Sequence, residues 1–345
     1  MSKILTVIFF SLFLAACGGS SNNDTGGDTG GDTGGDTGGD TGGDTGGDTG
    51  STAAYKCPAT TETDAVYSDV FITNNAPDVV WPIDNDQTKP TSVAQIALAF
   101  NAGRKDDATI KESLKMPAQA DWDVMSSSQK TLYLVNSERC ARGIKPFEGI
   151  APELVTSSQA YATILSDSDT FTHGANPNAD IALRMTNAGV DTSAGGNADF
   201  ISKNESLALK DAAMTGVADY PTINEPEARA VYDWIYADIN DGGSGYGHRE
   251  MMLINDLEEN SGLASAEGLF GASIATRQDI DIPQAGAYKT AVRTVMHIFD
   301  PNASWVMNNV GDVPVLYGPE SQADCLNGTY TASADSDGNN TSTCE

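Results

Sequence analysis

Two of the three histidines of the chain lie near acidic residues in the stretch between residues 171 and 250. His173 follows Phe171-Thr172, His248 precedes Arg249-Glu250, and Glu205 lies between them in Asn204-Glu205-Ser206. Neutral imidazoles that converge can bind Zn²⁺ or another divalent ion, and a nearby carboxylate can serve as general base on a metal-bound water. No H-E-x-x-H or C-x-x-C motif connects these residues, so a shared site depends on the fold.

A metal-free interpretation of the same residues stays open. An imidazole paired with a carboxylate gains a charge-assisted hydrogen bond, and such a pair can simply hold neighbouring loops together. Glu205 could instead stand at a loop-to-helix junction and accept backbone N–H groups. His297 alternates with Val295 and Phe299 on a predicted strand, which favours a structural role for this third histidine.

The sequence predicts four helices that would position these residues. They begin after Ser126 or Ser127, after Pro152, after Asp180 and at Pro226. The first and third end at Gly143 and Gly189, and the last ends at the glycines at 242, 243 and 245. The best strand candidates follow later, from Leu269 to Ala275 and from Val292 to Phe299. Helices that precede strands without βαβ alternation favour an α+β fold with helices on a small antiparallel sheet.

Residues 55–125 are predicted to form a helical N-terminal extension that packs on the main body. Val93, Ile96 and Phe100 recur at helical spacing, which predicts a helix from Ser92 to Arg104. A second helix is predicted from Asp107 to Lys115, before Pro117.

Five short motifs follow one another along the chain: Leu134 to Arg139 with Gly143, Phe171-Thr172-His173, Asn204 to Ala208, Trp234, and Gly247 to Leu253 followed by Gly262. Their order resembles that of the CAP superfamily, which includes cysteine-rich secretory proteins, venom antigens and plant pathogenesis-related proteins. The chain is most similar to the bacterial SCP-like branch. The resemblance covers roughly residues 126–300, within a domain placed at 126–310.

The resemblance implies a three-layer α-β-α sandwich with a cleft that holds two histidines and two acidic residues. By position, His173, Glu205 and His248 match three members of this tetrad. The acidic position that follows the helix tryptophan in the family falls on Ala237 here, so the fourth member stays open between Asp238 and Glu250.

Residues 1–17 are predicted to be a lipoprotein signal peptide, because an apolar run too short to span a membrane follows Lys3. Leu14-Ala15-Ala16-Cys17 resembles the bacterial lipobox, which implies an acylated Cys17 inserted in a lipid bilayer; ordinary cleavage after Ala16 is the alternative. The Asp-Thr-Gly-Gly repeats within residues 18–54 contain no apolar residue and predict a disordered tether. We therefore expect a lipid-anchored protein of the cell envelope, at the outer membrane or the cell surface.

The formal net charge of −29 bears on the partners of this protein. So acidic a chain disfavours nucleic acid and anionic lipid headgroups as partners and favours solubility. An acidic proteome explains this charge as well as a cationic ligand does.

Of the five cysteines, four remain when Cys17 is acylated, and an even number in an exported chain predicts two disulfides. Proximity in the chain favours Cys325–Cys344, within a C-terminal segment at 311–345, and leaves Cys57–Cys140. Four cysteines allow three pairings, so this assignment depends on proximity alone.

These observations favour extracytoplasmic binding of a lipid, peptide or protein ligand around His173, Glu205 and His248, rather than an enzyme. The alternative is a divalent-metal-dependent, peptidase-like hydrolase in which His173 and His248 bind Zn²⁺ and Glu205 is the catalytic general base. A third interpretation is an interaction module displayed by the tether, whose outer loops bind the partner.

Overall fold

The structure is a computed structural model that describes the chain in separate stretches. They are residues 81–82, 89–107, 110–144, 146–147, 149–168, 171–174, 180–191, 203–212, 220–238, 247–253, 268–278, 290–299, 316–317, 321–326, 328–332 and 342–344. The predicted signal peptide and tether, with Cys17 and Cys57, lie outside these residues.

The described residues form a mixed α+β fold, with seven α-helices packed on a four-stranded mixed sheet. The helices are α1 (Val93–Lys105), α2 (Gln119–Asp123), α3 (Ser127–Cys140), α4 (Pro152–Asp167), α5 (Ile181–Asn187), α6 (Pro226–Tyr236) and α7 (Gly247–Leu253). The strands of the sheet are β1 (Gly149–Ile150), β2 (Lys203–Ala212), β3 (Leu269–Gln278) and β4 (Thr290–Phe299). Two short strands, β5 (Tyr330–Thr331) and β6 (Thr343–Cys344), pair separately.

The sheet has the strand order β1-β3-β4-β2. β4 is antiparallel to both β2 and β3, whereas β1 runs parallel to β3, so the antiparallel sheet predicted from the sequence is in fact mixed. β1 leads directly into α4, which lies on β3, and Ala151 continues the pairing with a hydrogen bond to the carbonyl of Phe270 at 2.9 Å. This short connection determines the direction of β1.

The two faces of the sheet pack against different helices. Tyr161 and Leu165 of α4 cover Leu207 and Val295 on one face. Strand neighbours point to opposite faces, and on the second face Met296 joins the larger core that includes residues of α3, α6 and α7. Both faces of β4 are therefore covered, and this strand is buried along its whole length.

The predicted signals at the ends of α3 and α5 are confirmed. Ser126 caps α3 in a reciprocal capping box with Gln129, and Gly143 follows that helix with φ of +71°. Asp180 caps α5 through two backbone N–H groups, and Gly189 has φ of +99°. These ends depend on neighbouring residues alone, which is why the sequence predicts them.

The prediction of a helix from Asp107 to Lys115 is wrong. Residues 110–115 form no helix, and Glu112 forms an isolated antiparallel bridge with Cys325. The carbonyl of Lys111 accepts the N–H of Leu326 at 2.8 Å. Because this backbone bonds to a distant part of the chain, its groups are not available for helix bonds.

The N-terminal extension joins the main body through buried charges. Arg104 of α1 donates to Glu138 of α3 at 2.9 Å, and Arg142 binds the other oxygen of that carboxylate at 2.7 Å. The hydroxyl of Tyr236 also donates to Glu138, and Arg142 reaches Asp107 at 3.0 Å. Helix α1 is therefore part of the folded core.

The predicted Cys325–Cys344 disulfide is confirmed. Cys140 is also disulfide-bonded, but Cys57 lies outside the described residues, so that pairing stays a prediction. Within the described stretches, no helix combines the length and apolarity needed to cross a membrane.

Candidate functional site

Glu205 lies on β2, which is an edge strand of the sheet in the described part of the chain. Its side chain is fully buried. Its register partner on β4 is His297, which in turn faces Gly271 on β3. Glu205 shares a face with Leu207, which packs against α4. A Cβ on Gly271 would lie 2.4 Å from the backbone of Leu154, so the absence of a side chain here lets α4 pack closely against β3.

His173 follows α4, and its Nδ1 lies 2.8 Å from Oε1 of Glu205. Two side chains hold the backbone of this turn. The hydroxyl of Tyr161 donates to the carbonyl of Thr172 at 2.5 Å, and Arg184 donates to the carbonyl of His173 at 3.0 Å. The imidazole keeps 38% of its surface exposed, so a buried acid anchors a ring that remains accessible.

Two further donors reach the same carboxylate. Arg184 of α5 donates to Oε2 of Glu205 at 2.6 Å, and Nε2 of His297 lies 2.7 Å from that oxygen. The guanidinium carbon of Arg184 lies 3.7 Å from the ring centre of Tyr161, which is cation–π geometry. His297 is fully buried, and its Nδ1 has no hydrogen-bond partner in the described part of the chain.

These donors determine the ionisation of Glu205. Burial raises the pKa of its carboxyl, but hydrogen bonds from His173 and His297 and the charges of His297 and Arg184 outweigh burial and lower that pKa to about 2. An ionised carboxylate only accepts hydrogen bonds. His173 therefore carries a proton on Nδ1, and when the ring is neutral its Nε2 holds a lone pair.

His248, near the start of α7, forms a second pair of the same kind. Its Nδ1 lies 2.7 Å from Oδ1 of Asp238, just after α6, and Oδ2 of Asp238 accepts the backbone N–H of Arg249 at 3.0 Å. Asp238 is buried, whereas the imidazole keeps 24% of its surface exposed. We call the two histidine–carboxylate pairs the histidine site.

Helix α7 contacts β2 directly beside Glu205. The hydroxyl of Ser206 donates to the sulfur of Met251 at 3.6 Å, in the same short helix as His248. Because neighbours on a strand point to opposite faces, Glu205 and Ser206 project to opposite sides of the sheet. Met251 of α7 and the side chain of Glu205 therefore lie on opposite sides of β2.

Trp234 makes a second connection between β2 and His248. Its indole N–H donates to the carbonyl of Leu207 at 2.9 Å. The same indole is stacked with the ring of His248, with ring centres 6.5 Å apart and planes inclined by 30°. The segment from Glu205 to Leu207 thus contains the acid of the first pair and is linked to His248 of the second pair through Trp234.

Four of the five predicted cleft residues lie in these pairs: His173 with Glu205, and His248 with Asp238. The side chain of Glu250, the other candidate for the fourth position, lies outside what the structure describes. Glu205 lies within a strand, so its alternative assignment to a loop-to-helix junction is wrong.

Arg184 and His297 are the two partners of Glu205 that were not predicted from the sequence. His297 lies on the predicted strand, but its bond to Glu205 depends on the register of β2, a strand that the sequence did not predict. Arg184 lies on a predicted helix whose packing the sequence does not reveal. The residue types alone carried no signal for either contact.

Metal binding by His173 and His248 stays a prediction. In the described stretches, the Nε2 atom of each ring has no hydrogen-bond partner. The same stretches contain no group of three or more His, Cys, Asp or Glu side chains that could hold a metal ion. A Zn²⁺ ion bound by these two rings would take its other ligands from water, from substrate or from elsewhere in the chain.

Compared with protein-family models, with curated proteins and with solved structures, the chain matches none of them. The histidine site is therefore interpreted from its geometry and from the motifs of the sequence.

Proposed function

We propose that this chain is a lipid-anchored, extracytoplasmic CAP/SCP-like protein that binds a lipid, peptide or protein ligand around the histidine site. The observation that carries the proposal is the common arrangement of His173 and His248. Each ring is anchored through Nδ1 to a buried carboxylate and remains partly exposed, which leaves Nε2 available to a ligand.

Contacts among the motifs support the CAP-like assignment. The first motif reaches the fifth, because Arg139 donates to the carbonyl of Met252 at 2.8 Å. The second meets the third through His173 and Glu205. Asn136 of the first motif also exchanges two hydrogen bonds with the backbone of Phe147, which anchors α3. Trp234, the fourth motif, contacts Leu207 of the third and His248 of the fifth, so that the five motifs belong to one contact network.

The layer arrangement is consistent with the same proposal. Helix α4 covers one face of the sheet, while α3, α6 and α7 contribute to the core on the other. We assign this arrangement to the three-layer α-β-α sandwich. We assign the fourth acidic role to Asp238, the residue after Ala237, because its carboxylate bonds to His248.

Binding is favoured over catalysis by the state of Glu205. Its carboxylate already accepts hydrogen bonds from three side chains, and these hold its pKa at about 2. Such a group is a weak proton acceptor near neutral pH. Its role in the proposal is to orient His173.

A metal-dependent hydrolase is the second candidate. Histidines that ligate metals commonly donate their other ring nitrogen to a carboxylate, which is the arrangement of both His173 and His248. Zn²⁺ held by the two Nε2 atoms would activate a bound water. Glu205 would then orient a ligand, and the general base would be another group.

The experiment compares the purified full chain with the double variant His173→Ala/His248→Ala, and uses Tyr317→Ala, an exposed aromatic, as control. Elemental analysis and calorimetry measure Zn²⁺, and native mass spectrometry with lipid extraction detects bound molecules. Metal near one equivalent, lost only in the double variant, supports the hydrolase. A bound organic molecule lost only there, without metal, supports ligand binding. If neither depends on the histidines, the site has no binding role and the outer loops become the candidate surface.

The proposed anchor has its own test. Palmitate labelling in a bacterial host should mark the wild-type chain and leave Cys17→Ser unlabelled, with Cys57→Ser as the matched cysteine control. Equal labelling of Cys17→Ser and wild type would contradict acylation at this position.

A further inference from the structure

Glu205 is the central acceptor of one half of the histidine site. Its Oε1 takes the hydrogen bond from His173, and its Oε2 takes those of Arg184 and His297. All of these partners except His173 are buried. The orientation of the carboxylate is therefore set by contacts on the oxygen that His173 does not use.

Arg184 holds both ends of the His173–Glu205 pair. One guanidinium nitrogen donates to the backbone carbonyl of His173 at 3.0 Å, and another donates to Oε2 of Glu205 at 2.6 Å. The ring of Tyr161 lies against the guanidinium and limits its movement. Loss of this one side chain would release the histidine backbone and the carboxylate together.

His297 approaches from the neighbouring strand. It is fully buried, and its single hydrogen bond in the described part of the chain is the one at 2.7 Å to Glu205. A buried imidazole that leaves its other nitrogen unsatisfied costs stability. The one polar contact that this residue makes is thus directed at the histidine site.

We propose that Arg184 and His297 are positioning residues of the histidine site. They occupy Oε2 of Glu205, so that Oε1 stays directed at Nδ1 of His173. His173 is thereby kept in the tautomer that presents the Nε2 lone pair to a ligand or a metal ion. That the histidine site binds a ligand rests on the proposed function, whereas the positioning of His173 by Arg184 and His297 does not.

The test reads the tautomer directly. Imidazole ¹⁵N chemical shifts are recorded for the full chain at neutral pH, with His248 as the internal reference. Arg184→Met and His297→Phe each remove one donor while keeping an apolar side chain of similar size. Arg277→Met is the matched control, because Arg277 donates to the carbonyl of Ser166 at 3.2 Å without contacting Glu205.

We expect His173 in the wild type to show the Nδ1–H pattern. In Arg184→Met and in His297→Phe it should become a mixture of tautomers, while His248 and the Arg277→Met control stay unchanged. His297→Gln restores an N–H donor near Oε2 and should return the wild-type pattern. Unchanged tautomers of His173 in both variants would overturn the proposal.

A Zn²⁺ titration of the same proteins separates this inference from the proposed function. If the wild type binds Zn²⁺ at the histidine site, loss of either positioning residue should weaken binding by about 10-fold to 100-fold. Altered tautomers without Zn²⁺ binding in any protein would retain the positioning role and remove the metal alternative.

Should Arg184→Met unfold the chain, Arg184→Lys replaces it. Its single ammonium keeps the charge but does not bridge both acceptors, and the same tautomer change is expected.

Discussion

Glu205 and His297 are register partners on β2 and β4, and Oε2 of the first lies 2.7 Å from Nε2 of the second. Together with His173 and His248, this means that all three histidines of the chain bond a buried carboxylate through one ring nitrogen. Glu205 and His297 lie within the sheet rather than in a loop. A substitution of either residue is therefore expected to change the stability of the fold as well as the orientation of His173.

Glu205→Gln should remove a pH-dependent part of the stability. The pKa of Glu205 is lowered from 4.5 to about 2 in the folded chain, so the unfolded state binds more protons in that interval. The stabilisation is fully present above pH 4.5 and is lost as the pH falls towards 2. A shift of this size corresponds to on the order of 3 kcal/mol.

The measurement is the free energy of unfolding in urea between pH 7 and pH 2, for wild type and Glu205→Gln. The difference between the two curves reports Glu205 together with the two histidines that bond to it. Parallel curves would show that this carboxyl is no better stabilised in the folded state than in the unfolded chain.

Arg104→Met should destabilise the fold strongly, because it removes a buried cation from Glu138. We expect a loss of about 3 kcal/mol, near the lower end for a broken buried ion pair, since Arg142 still compensates the carboxylate. Lys105→Met is the matched control on the exposed side of α1, with an expected change below about 0.5 kcal/mol. Equal stability of both variants would mean that the N-terminal extension is not part of the cooperative unit. Chemical denaturation provides the measurement.

Gly271→Ala should push α4 away from β3. The new Cβ would lie 2.4 Å and 2.5 Å from backbone atoms of Leu154 and Val155, which cannot move independently of the helix. Overpacking of this kind typically costs about 1–3 kcal/mol. Gly247→Ala is the control, because no heavy atom lies within 4 Å of its Cβ position. Thermal unfolding compares the two, and a Gly271→Ala protein as stable as the control would contradict the close packing.

Asp238→Asn should invert the tautomer of His248. Oδ2 of Asp238 accepts the N–H of Arg249, so the amide oxygen of asparagine would take that position and its NH₂ group would face Nδ1 of the imidazole. Nδ1 must then accept, which moves the proton to Nε2. Imidazole ¹⁵N shifts measure the change, with His173 as the unaffected reference. An Nδ1–H pattern that persists in the variant would show that Asp238 does not determine the tautomer.

Much of the helical part could be predicted from neighbouring residues. Helices α3 to α6 begin at capping residues or prolines, and α3 and α5 are followed by glycines, whose effects reach only a few positions. The end of α6 at Tyr236 was not predicted, because the sequence favoured the glycines at 242, 243 and 245 as its stop. Strand β2 was missed because Lys203 to Ala212 contains no β-branched or aromatic residue. The stretch from Asp107 to Lys115 was misread because its backbone partners lie near residue 325.

The sequence by itself determined the starts of helices α3 to α6, the nearby Cys325–Cys344 pair, and the identity of His173, Glu205 and His248 as candidate site residues. Only the tertiary structure decided which acid meets which histidine. Glu205 is separated by 32 residues from His173 and by 92 from His297, and residue types carry no information on strand register over such distances. Register and helix packing select the partners, because a shift of one residue along β2 would turn Glu205 to the other face of the sheet.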